Sequence, residues 1–174
     1  MPKIFLKALI ILTLCSVVNE LNAGKIPYVR AQNNVHITGF GDASIISANY
    51  ERLVLSYRKF FMGVNLGLGY SQSYGLPHAS TALLSMPMHV TGNLGAKSHY
   101  FEFGFGGTML FYADEKKPKY WDFCMYPMIG YRFQPLKTNK FTLRVFSGYP
   151  ITDEWDKENY WFFPLGLSIG FCFK

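Results

Sequence analysis

The dominant pattern along the chain is alternation of large apolar residues with small or polar ones. In residues 100–112 every second side chain is apolar, mostly Phe, and the residues between are Gly, Thr and Glu. Residues 160–173 repeat the pattern, with Trp, Phe, Leu and Ile set against Gly, Ser and Cys. Successive side chains of a strand point to opposite faces, so each segment predicts a strand with one apolar face.

Six further segments alternate in the same way and bring the expected number of strands to eight. They lie at residues 34–40, 46–51, 62–69, 82–91, 121–132 and 141–148. A barrel whose two chain ends lie on one side needs an even number of strands, which supports the short first strand and a tight turn at 39–42. Hairpin turns are expected near residues 55–58, 93–98 and 135–140, and external loops at 39–42, 71–79, 113–119 and 151–159.

The small polar face indicates which side of the barrel is inside. A water-facing surface is normally rich in Lys and Glu, whereas this face is mostly Gly, Ser, Thr and Asn. A lumen enclosed by eight strands has room for side chains only, and small residues suit it. We therefore predict an all-β, eight-stranded antiparallel transmembrane β-barrel, an up-and-down meander with its apolar face toward lipid. The alternative is a secreted lipocalin-like binder of apolar ligands, with that face inside.

Composition and charge agree with a membrane barrel. The 174 residues are 49% hydrophobic and 18% aromatic but only 16% charged, which excludes disorder and fits one domain. Lysines cluster between the strands, as expected if charges avoid the lipid-facing centre. Tyr and Trp gather at strand ends, the place of an aromatic girdle. The basic balance does not indicate nucleic acid, because an exported chain meets none.

The N-terminus has the pattern of a secretory signal peptide. Lys3 and Lys7 precede an apolar run at residues 8–18, which is too short for a membrane-spanning helix. We place cleavage after Ala23, so that residues 1–23 are the signal peptide, 24–32 a lead-in and 33–174 the barrel. Acylation of Cys15, as in a lipoprotein, is the less favoured alternative.

At this point the chain resembles the small outer-membrane β-barrels of the OmpA/OmpX type. The likeness covers residues 33–174 and includes the closing run, where Gly170, Phe171 and Phe173 look like the family's C-terminal assembly signal. It implies an outer-membrane location and recognition by the barrel-insertion machinery during assembly. The chain departs from the family in having Lys174 after the last aromatic residue. We expect a monomer.

Five charged residues point into the lumen by their position in the alternation: Glu51, Glu102, Asp122, Arg132 and Arg144. Buried charges must be paired, so we expect an internal ion network that fixes the barrel. A second group, Lys116, Lys117 and Lys119, lies in an external loop. We expect these lysines to meet anionic lipid head groups or lipopolysaccharide phosphates.

Catalysis is not expected, although one alternative is an outer-membrane enzyme acting on lipid A or phospholipid acyl chains. Its weak candidates are His78 and Ser80, a base and a hydroxyl in one loop. The four histidines show no metal-ligand spacing, so neither a metal nor another cofactor is expected. Cys124 and Cys172 point inward about 20 Å apart in height, too far for a disulfide.

Overall fold

The structure, a computed structural model, describes residues 31–57, 59–72, 82–112, 120–135, 141–151 and 162–173. Its elements are eight strands: β1 (Asn33–Gly39), β2 (Ile46–Ser56), β3 (Phe60–Gln72), β4 (Ala82–Ala96), β5 (His99–Tyr112), β6 (Tyr120–Phe133), β7 (Thr142–Gly148) and β8 (Leu165–Phe173). Within these described ranges no helix is long and apolar enough to cross a membrane.

Each strand pairs antiparallel with the next along the chain, and β1 pairs with β8 to close the barrel. The closing seam runs from Asn33 opposite Phe173 to Gly39 opposite Leu167. Closure leaves every strand with two hydrogen-bonded neighbours, which removes the open edges that a membrane would not tolerate. The prediction of an eight-stranded antiparallel up-and-down barrel is confirmed.

The apolar face of the sheet lies outside. Leu66 in the middle of β3 is 53% exposed, and its neighbours Asn65 and Gly67 are buried. The same alternation covers β2, where the exposed Ile46, Ala48 and Tyr50 lie between buried polar residues. Exposed large apolar side chains on every strand except β7 would be unfavourable in water, and a lipid surround removes this cost. The fold is thus a transmembrane barrel.

The two ends of the barrel differ. At one end, called here the turn end, lie the short connections at 57–59 and 97–98 and the connection at 134–141. The first residue of β1 and the last residue of β8 lie at the same end. At the other, the loop end, lie the connection at 40–45 and three connections that fall partly or wholly outside the described residues: 73–81, 113–119 and 149–164.

Two local irregularities could not be read from the alternation. The last strand begins only at Leu165, because Pro164 cannot donate to the ladder, so the prediction of a strand from residue 160 is wrong over 162–164. The register between β2 and β3 shifts at Val54, as in a β-bulge.

Glycines on the inner face make room for large side chains of neighbouring strands. A Cβ at Gly106 would overlap the ring of Tyr126, and one at Gly166 would overlap the ring of Phe146. Tyr126 and Phe146 are both buried in the lumen. The small residues of the inner face therefore leave the space that bulky inner side chains such as Tyr126 and Phe146 occupy in this narrow lumen.

We expect Gly106→Ala to destabilise the barrel by about 1–3 kcal/mol, the usual cost of overpacking a filled core. The matched control is Gly39→Ala, because the nearest atom to a Cβ at Gly39 is the Leu167 carbonyl oxygen at 4.0 Å. Denaturant unfolding in detergent micelles measures both variants. Equal stability of Gly106→Ala and Gly39→Ala would contradict the packing of Tyr126 against Gly106.

Candidate functional site in the barrel lumen

Four charged side chains from four strands meet in the lumen. Arg132 Nη1 and Nη2 donate to Glu51 Oε1 and Oε2 at 2.7 and 2.6 Å. Arg144 Nη2 donates to Glu102 Oε1 at 2.6 Å, and its Nε to Oε2 at 3.1 Å. Both pairs are therefore bidentate forks, the strongest geometry for a guanidinium and a carboxylate. Arg132 Nη1 also lies 3.8 Å from Glu102 Oε2, which links the two pairs into one charged cluster.

The charged cluster reaches β1 through two further side chains. Asn34 Nδ2 donates to Glu51 Oε2 at 3.1 Å. Arg144 Nη1 lies 3.2 Å from His36 Nε2. A guanidinium has no lone pair to offer, so His36 Nε2 must be the acceptor and the ring must be neutral there. Arg132 also stacks over the Phe61 ring, 5.1 Å from its centroid. The cluster thus ties β1, β2, β5, β6 and β7 together.

The charged cluster carries no net charge, because two guanidiniums face two carboxylates. Glu51, Glu102 and Arg132 are each 0% exposed. Removing such groups from water is unfavourable by several kcal/mol per ion unless each is paired and hydrogen-bonded. In the charged cluster each carboxylate is neutralised by a guanidinium. The pair of Glu51 on β2 and Arg132 on β6 also connects two strands on opposite sides of the barrel.

A second network, of neutral side chains, runs toward the loop end from Asn65 on β3. One branch passes to His89 at 3.3 Å, on to Tyr126 OH at 2.8 Å, and then to Thr108 Oγ1 at 3.0 Å. Thr108 Oγ1 donates to the backbone carbonyl of Asp42 at 2.6 Å. This branch therefore ends on the connection between β1 and β2.

The other branch leaves Asn65 along β2. Asn65 Nδ2 donates to Asn49 Oδ1 at 3.1 Å, and Asn49 Nδ2 donates to Ser47 Oγ at 2.8 Å. Ser47 Oγ donates to Asp42 Oδ2 at 2.8 Å. Asp42 is thus the final acceptor of both branches, one at its backbone and one at its carboxylate.

The connection 40–45 turns into the barrel instead of outward. Asp42, Ala43 and Ser44 are buried, and Ser44 Oγ lies 2.7 Å from Ser85 Oγ on β4. The prediction of a tight external turn at 39–42 is wrong, because the connection is six residues long and occupies the lumen. Phe40 and Ala43 have φ of 60° and 59°, left-handed values that cost a non-glycine residue about 1 kcal/mol or more.

The carboxyl of Asp42 is the least compensated acid in the described residues. It is fully buried, and burial raises its pKa to about 7, although hydrogen bonds from Ser47 and Ser44 act in the opposite direction. Its Oδ1 atom has no hydrogen-bond partner. No charged side chain forms a salt bridge with it in the part of the chain that the structure describes.

The structure brings together four of the five lumen charges named from the sequence. The side chain of Asp122, the fifth, lies outside the described residues, as do His78, Ser80, Lys116, Lys117, Lys119 and Lys174. Gly170, Phe171 and Phe173 form the end of β8 beside β1.

Sequence reasoning missed several lumen residues: Asp42, Phe61, Tyr100, Tyr126 and Phe146. Tyr126 is separated from Cys124 and Arg132 by an even number of residues along β6, so the alternation alone predicts that it faces the lumen. Asp42 lies in a connection, where parity carries no information.

The described residues contain no group of three or more His, Cys, Asp or Glu that could hold a metal ion. Cys124 and Cys172 are both buried. Cys124 lies opposite Thr108 and Cys172 opposite Asn34, toward different ends of the barrel.

We expect Tyr126→Phe to destabilise the barrel by about 1–3 kcal/mol, because His89 Nε2 and Thr108 Oγ1 both lose a buried partner. Tyr70→Phe is the control, because Tyr70 is an outward-facing side chain of β3. Chemical unfolding of the refolded barrel compares the two. A Tyr126→Phe variant as stable as Tyr70→Phe would show that the hydroxyl does not link the loop to the wall.

Fold, outer surface and lumen define the class: an eight-stranded transmembrane β-barrel. No family model matches the sequence, and no curated protein sequence matches it. Among solved structures it is similar to the N-terminal β-barrel domain of Pseudomonas aeruginosa OprF. That likeness has 10% identity, covers 82% of this chain and 96% of that one, and has a TM-score of 0.46. The fold assignment rests on the strand pairing of this chain and not on that likeness.

Proposed function

We propose that the protein is an integral outer-membrane β-barrel with a structural or surface-interaction role and a closed lumen. The observation that carries this proposal is the inverted distribution of polarity, apolar outside and charged inside. Such a surface suits lipid, and the lumen is occupied by its own side chains and by the connection 40–45. The recognition surface is then confined to the external loops.

The outer-membrane location rests on two arguments. Closed barrels of this size with short turns at one end are the form in which strands cross that membrane. The first 23 residues have the pattern of a cleaved signal peptide, and export is a requirement for such a location. In this proposal the turn end faces the periplasm, the barrel-insertion machinery reads Gly170, Phe171 and Phe173, and the barrel is a monomer.

The external loops supply the partners in this proposal. Lys116, Lys117 and Lys119 would meet lipopolysaccharide phosphates or other anionic head groups, and unchanged lipopolysaccharide affinity after their neutralisation would contradict that assignment.

No nucleic acid and no cofactor are part of the proposal. Catalysis is not part of it either: Glu51 and Glu102 are both paired with arginines, and the weak candidates His78 and Ser80 lie outside the described residues.

Gel mobility with and without boiling tests the proposal. The membrane fraction of producing cells should contain the protein, and the unboiled sample should migrate differently in SDS, because a closed barrel resists SDS until it is heated. Planar-bilayer recordings of the refolded protein should show no steady conductance. A soluble protein with no heat-dependent shift would contradict the proposal and favour the lipocalin-like alternative. Altered lipid A acylation on expression would favour the enzyme.

A further inference from the structure

Exposed charge on the described barrel is confined to the turn end and is all of one sign. Its three members are Arg52, Lys59 and Lys97, and each is exposed. Asp42, Glu51 and Glu102 are the acids whose side chains are described, and all three are buried. The turn end therefore carries uncompensated positive charge in the part of the molecule that the structure describes.

The sequence extends this asymmetry. After residue 23, the charged residues of the turn-end connections and of the two chain ends are all basic: Lys25, Arg30, Arg58, Lys59, Lys97, Lys137, Lys140 and Lys174. Arg52, on the outer face of β2, adds a further cation. The loop-end segments instead carry seven acids, namely Asp114, Glu115, Asp122, Asp153, Glu154, Asp156 and Glu158, against Lys116, Lys117, Lys119 and Lys157. An excess of basic over acidic residues is thus a property of the turn end and not of the loop end.

The three described cations lie at two levels of the turn end. Lys59 and Lys97 lie in the connections between strands, whereas Arg52 lies on the wall, two residues before the exposed Val54. Arg52 is on the outer face of β2, opposite Asn33, the first residue of β1. Tyr50, two residues further in, donates its hydroxyl to Asn33 Oδ1 at 2.6 Å. Tyrosine is frequent where a membrane protein meets the head-group region. An arginine at such a position covers apolar surface with its aliphatic part, and its guanidinium reaches the head groups.

Lys59 and Lys97 belong to two neighbouring hairpins that contact each other. The Lys59 carbonyl oxygen accepts a hydrogen bond from the Gly95 amide at 2.8 Å, and Gly95 is two residues before Lys97. The two lysines are therefore held on one side of the rim. Charge held on a surface in this way creates a local positive potential that attracts anions.

The backbone at Lys97 adds an independent observation. Lys97 opens a two-residue turn between the paired residues Ala96 and His99, and its φ is 60°. Glycine is the residue that this left-handed conformation favours, and a lysine there costs about 1 kcal/mol. The backbone conformation of the turn does not favour lysine at this position, whereas a positive charge at this end of the barrel requires a basic residue.

We propose that the basic rim formed by Arg52, Lys59 and Lys97 binds anionic phospholipid head groups of the leaflet at the turn end. The proposal rests on the membrane-barrel function proposed above and adds a lipid partner to it. A periplasmic polyanion such as peptidoglycan fits less well, because Arg52 lies on the wall among exposed apolar side chains and not beyond them. Phosphate is the group that arginine and lysine recognise best at such a surface.

The experiment uses the mature barrel in phosphatidylcholine vesicles with spin-labelled phosphatidylglycerol or spin-labelled phosphatidylcholine as the probe. Electron paramagnetic resonance gives the relative association of each lipid with the protein. We expect a preference for phosphatidylglycerol of about fivefold, the ratio that corresponds to about 1 kcal/mol, which is the contribution of one cation near an anionic surface. The preference should disappear at about 1 M salt, where screening acts within about 3 Å.

Three variants locate the preference. The triple variant Arg52→Gln, Lys59→Gln, Lys97→Gln should lose most of the preference, and the control Lys157→Gln, which removes one loop-end cation, should keep it. Lys97→Gly should reduce the preference while leaving the barrel at least as stable as the parent, which separates lost charge from lost folding. A heat-dependent gel shift for each variant shows that the barrel itself has formed.

Four outcomes would overturn the proposal: no preference in the parent, a preference unchanged in the triple variant, an equal loss in the control, or selective binding of soluble peptidoglycan fragments without lipid selectivity. Failure of the parent to show a heat-dependent shift or to enter vesicles would instead contradict the proposed function. The two failures are therefore distinguishable.

Discussion

Replacing Arg132 with Met is expected to destabilise the barrel by about 3–5 kcal/mol. The substitution leaves Glu51 buried without the bidentate partner that holds both of its oxygens, and Glu102 loses its weaker contact. Breaking one side of a buried pair has this large effect because the remaining charge is neither hydrated nor compensated. Equilibrium unfolding in urea, followed by heat-dependent mobility in SDS, measures the difference.

The double variant Arg132→Met, Glu51→Met separates the two contributions. Removing both charges eliminates the uncompensated carboxylate, so the double variant should regain much of the stability that the single variant loses. Arg52→Met is the matched control, because Arg52 is exposed on the outer wall and should change stability by no more than about 0.5 kcal/mol. A single variant as stable as this control would contradict the burial of the ion pair.

The contribution of Asp42 to the stability of the barrel is expected to fall as pH rises from about 4 to about 7. The pKa of Asp42 is raised from 3.8 to about 7 by burial, so the folded state holds its proton more tightly than the unfolded state. This favourable contribution is fully present below pH 4 and is lost as pH rises through 7. The difference corresponds to about 4 kcal/mol.

Asp42→Asn tests this assignment, because an amide keeps an acceptor for Ser47 Oγ and does not ionise. The stability of the variant relative to the parent should rise between pH 4 and pH 7, and the variant should be the more stable protein at pH 8. Unfolding free energies at several pH values give both quantities. A variant with the parent's pH profile would show that another group is responsible, and that the connection 40–45 does not bury a titrating carboxyl.

Periodicity predicted the faces of the strands well and the contacts across the lumen poorly. Alternation alone identifies Glu51 and Arg132 as inward-facing, because parity is a local property of a strand. It does not say that Glu51 meets Arg132 and not Arg144, because that choice depends on the stagger of strands 81 residues apart. The ion pairing therefore needed the three-dimensional register.

The connection 40–45 shows where sequence reasoning fails altogether. Gly39, Phe40, Gly41 and Asp42 together suggest an exposed turn, since glycine and aspartate are frequent in turns. The segment enters the lumen because small and polar residues around it, Ser47 on β2, Ser85 on β4 and Thr108 on β5, leave space and hydrogen-bond partners. Ser85 and Thr108 are distant in sequence from the connection, so no local pattern identifies them as its neighbours.

The direction in which the apolar face points is the central claim, and a single tryptophan tests it most directly. In a background with Trp121→Phe, Trp155→Phe and Trp161→Phe, Leu66→Trp would place the one fluorophore on the outer face in the middle of β3, where Leu66 is 53% exposed. In vesicles whose acyl chains carry bromine, we predict strong quenching of a blue-shifted emission and little quenching by aqueous acrylamide. Quenching by acrylamide without quenching by brominated lipid would show that this face does not meet lipid, and would contradict the account.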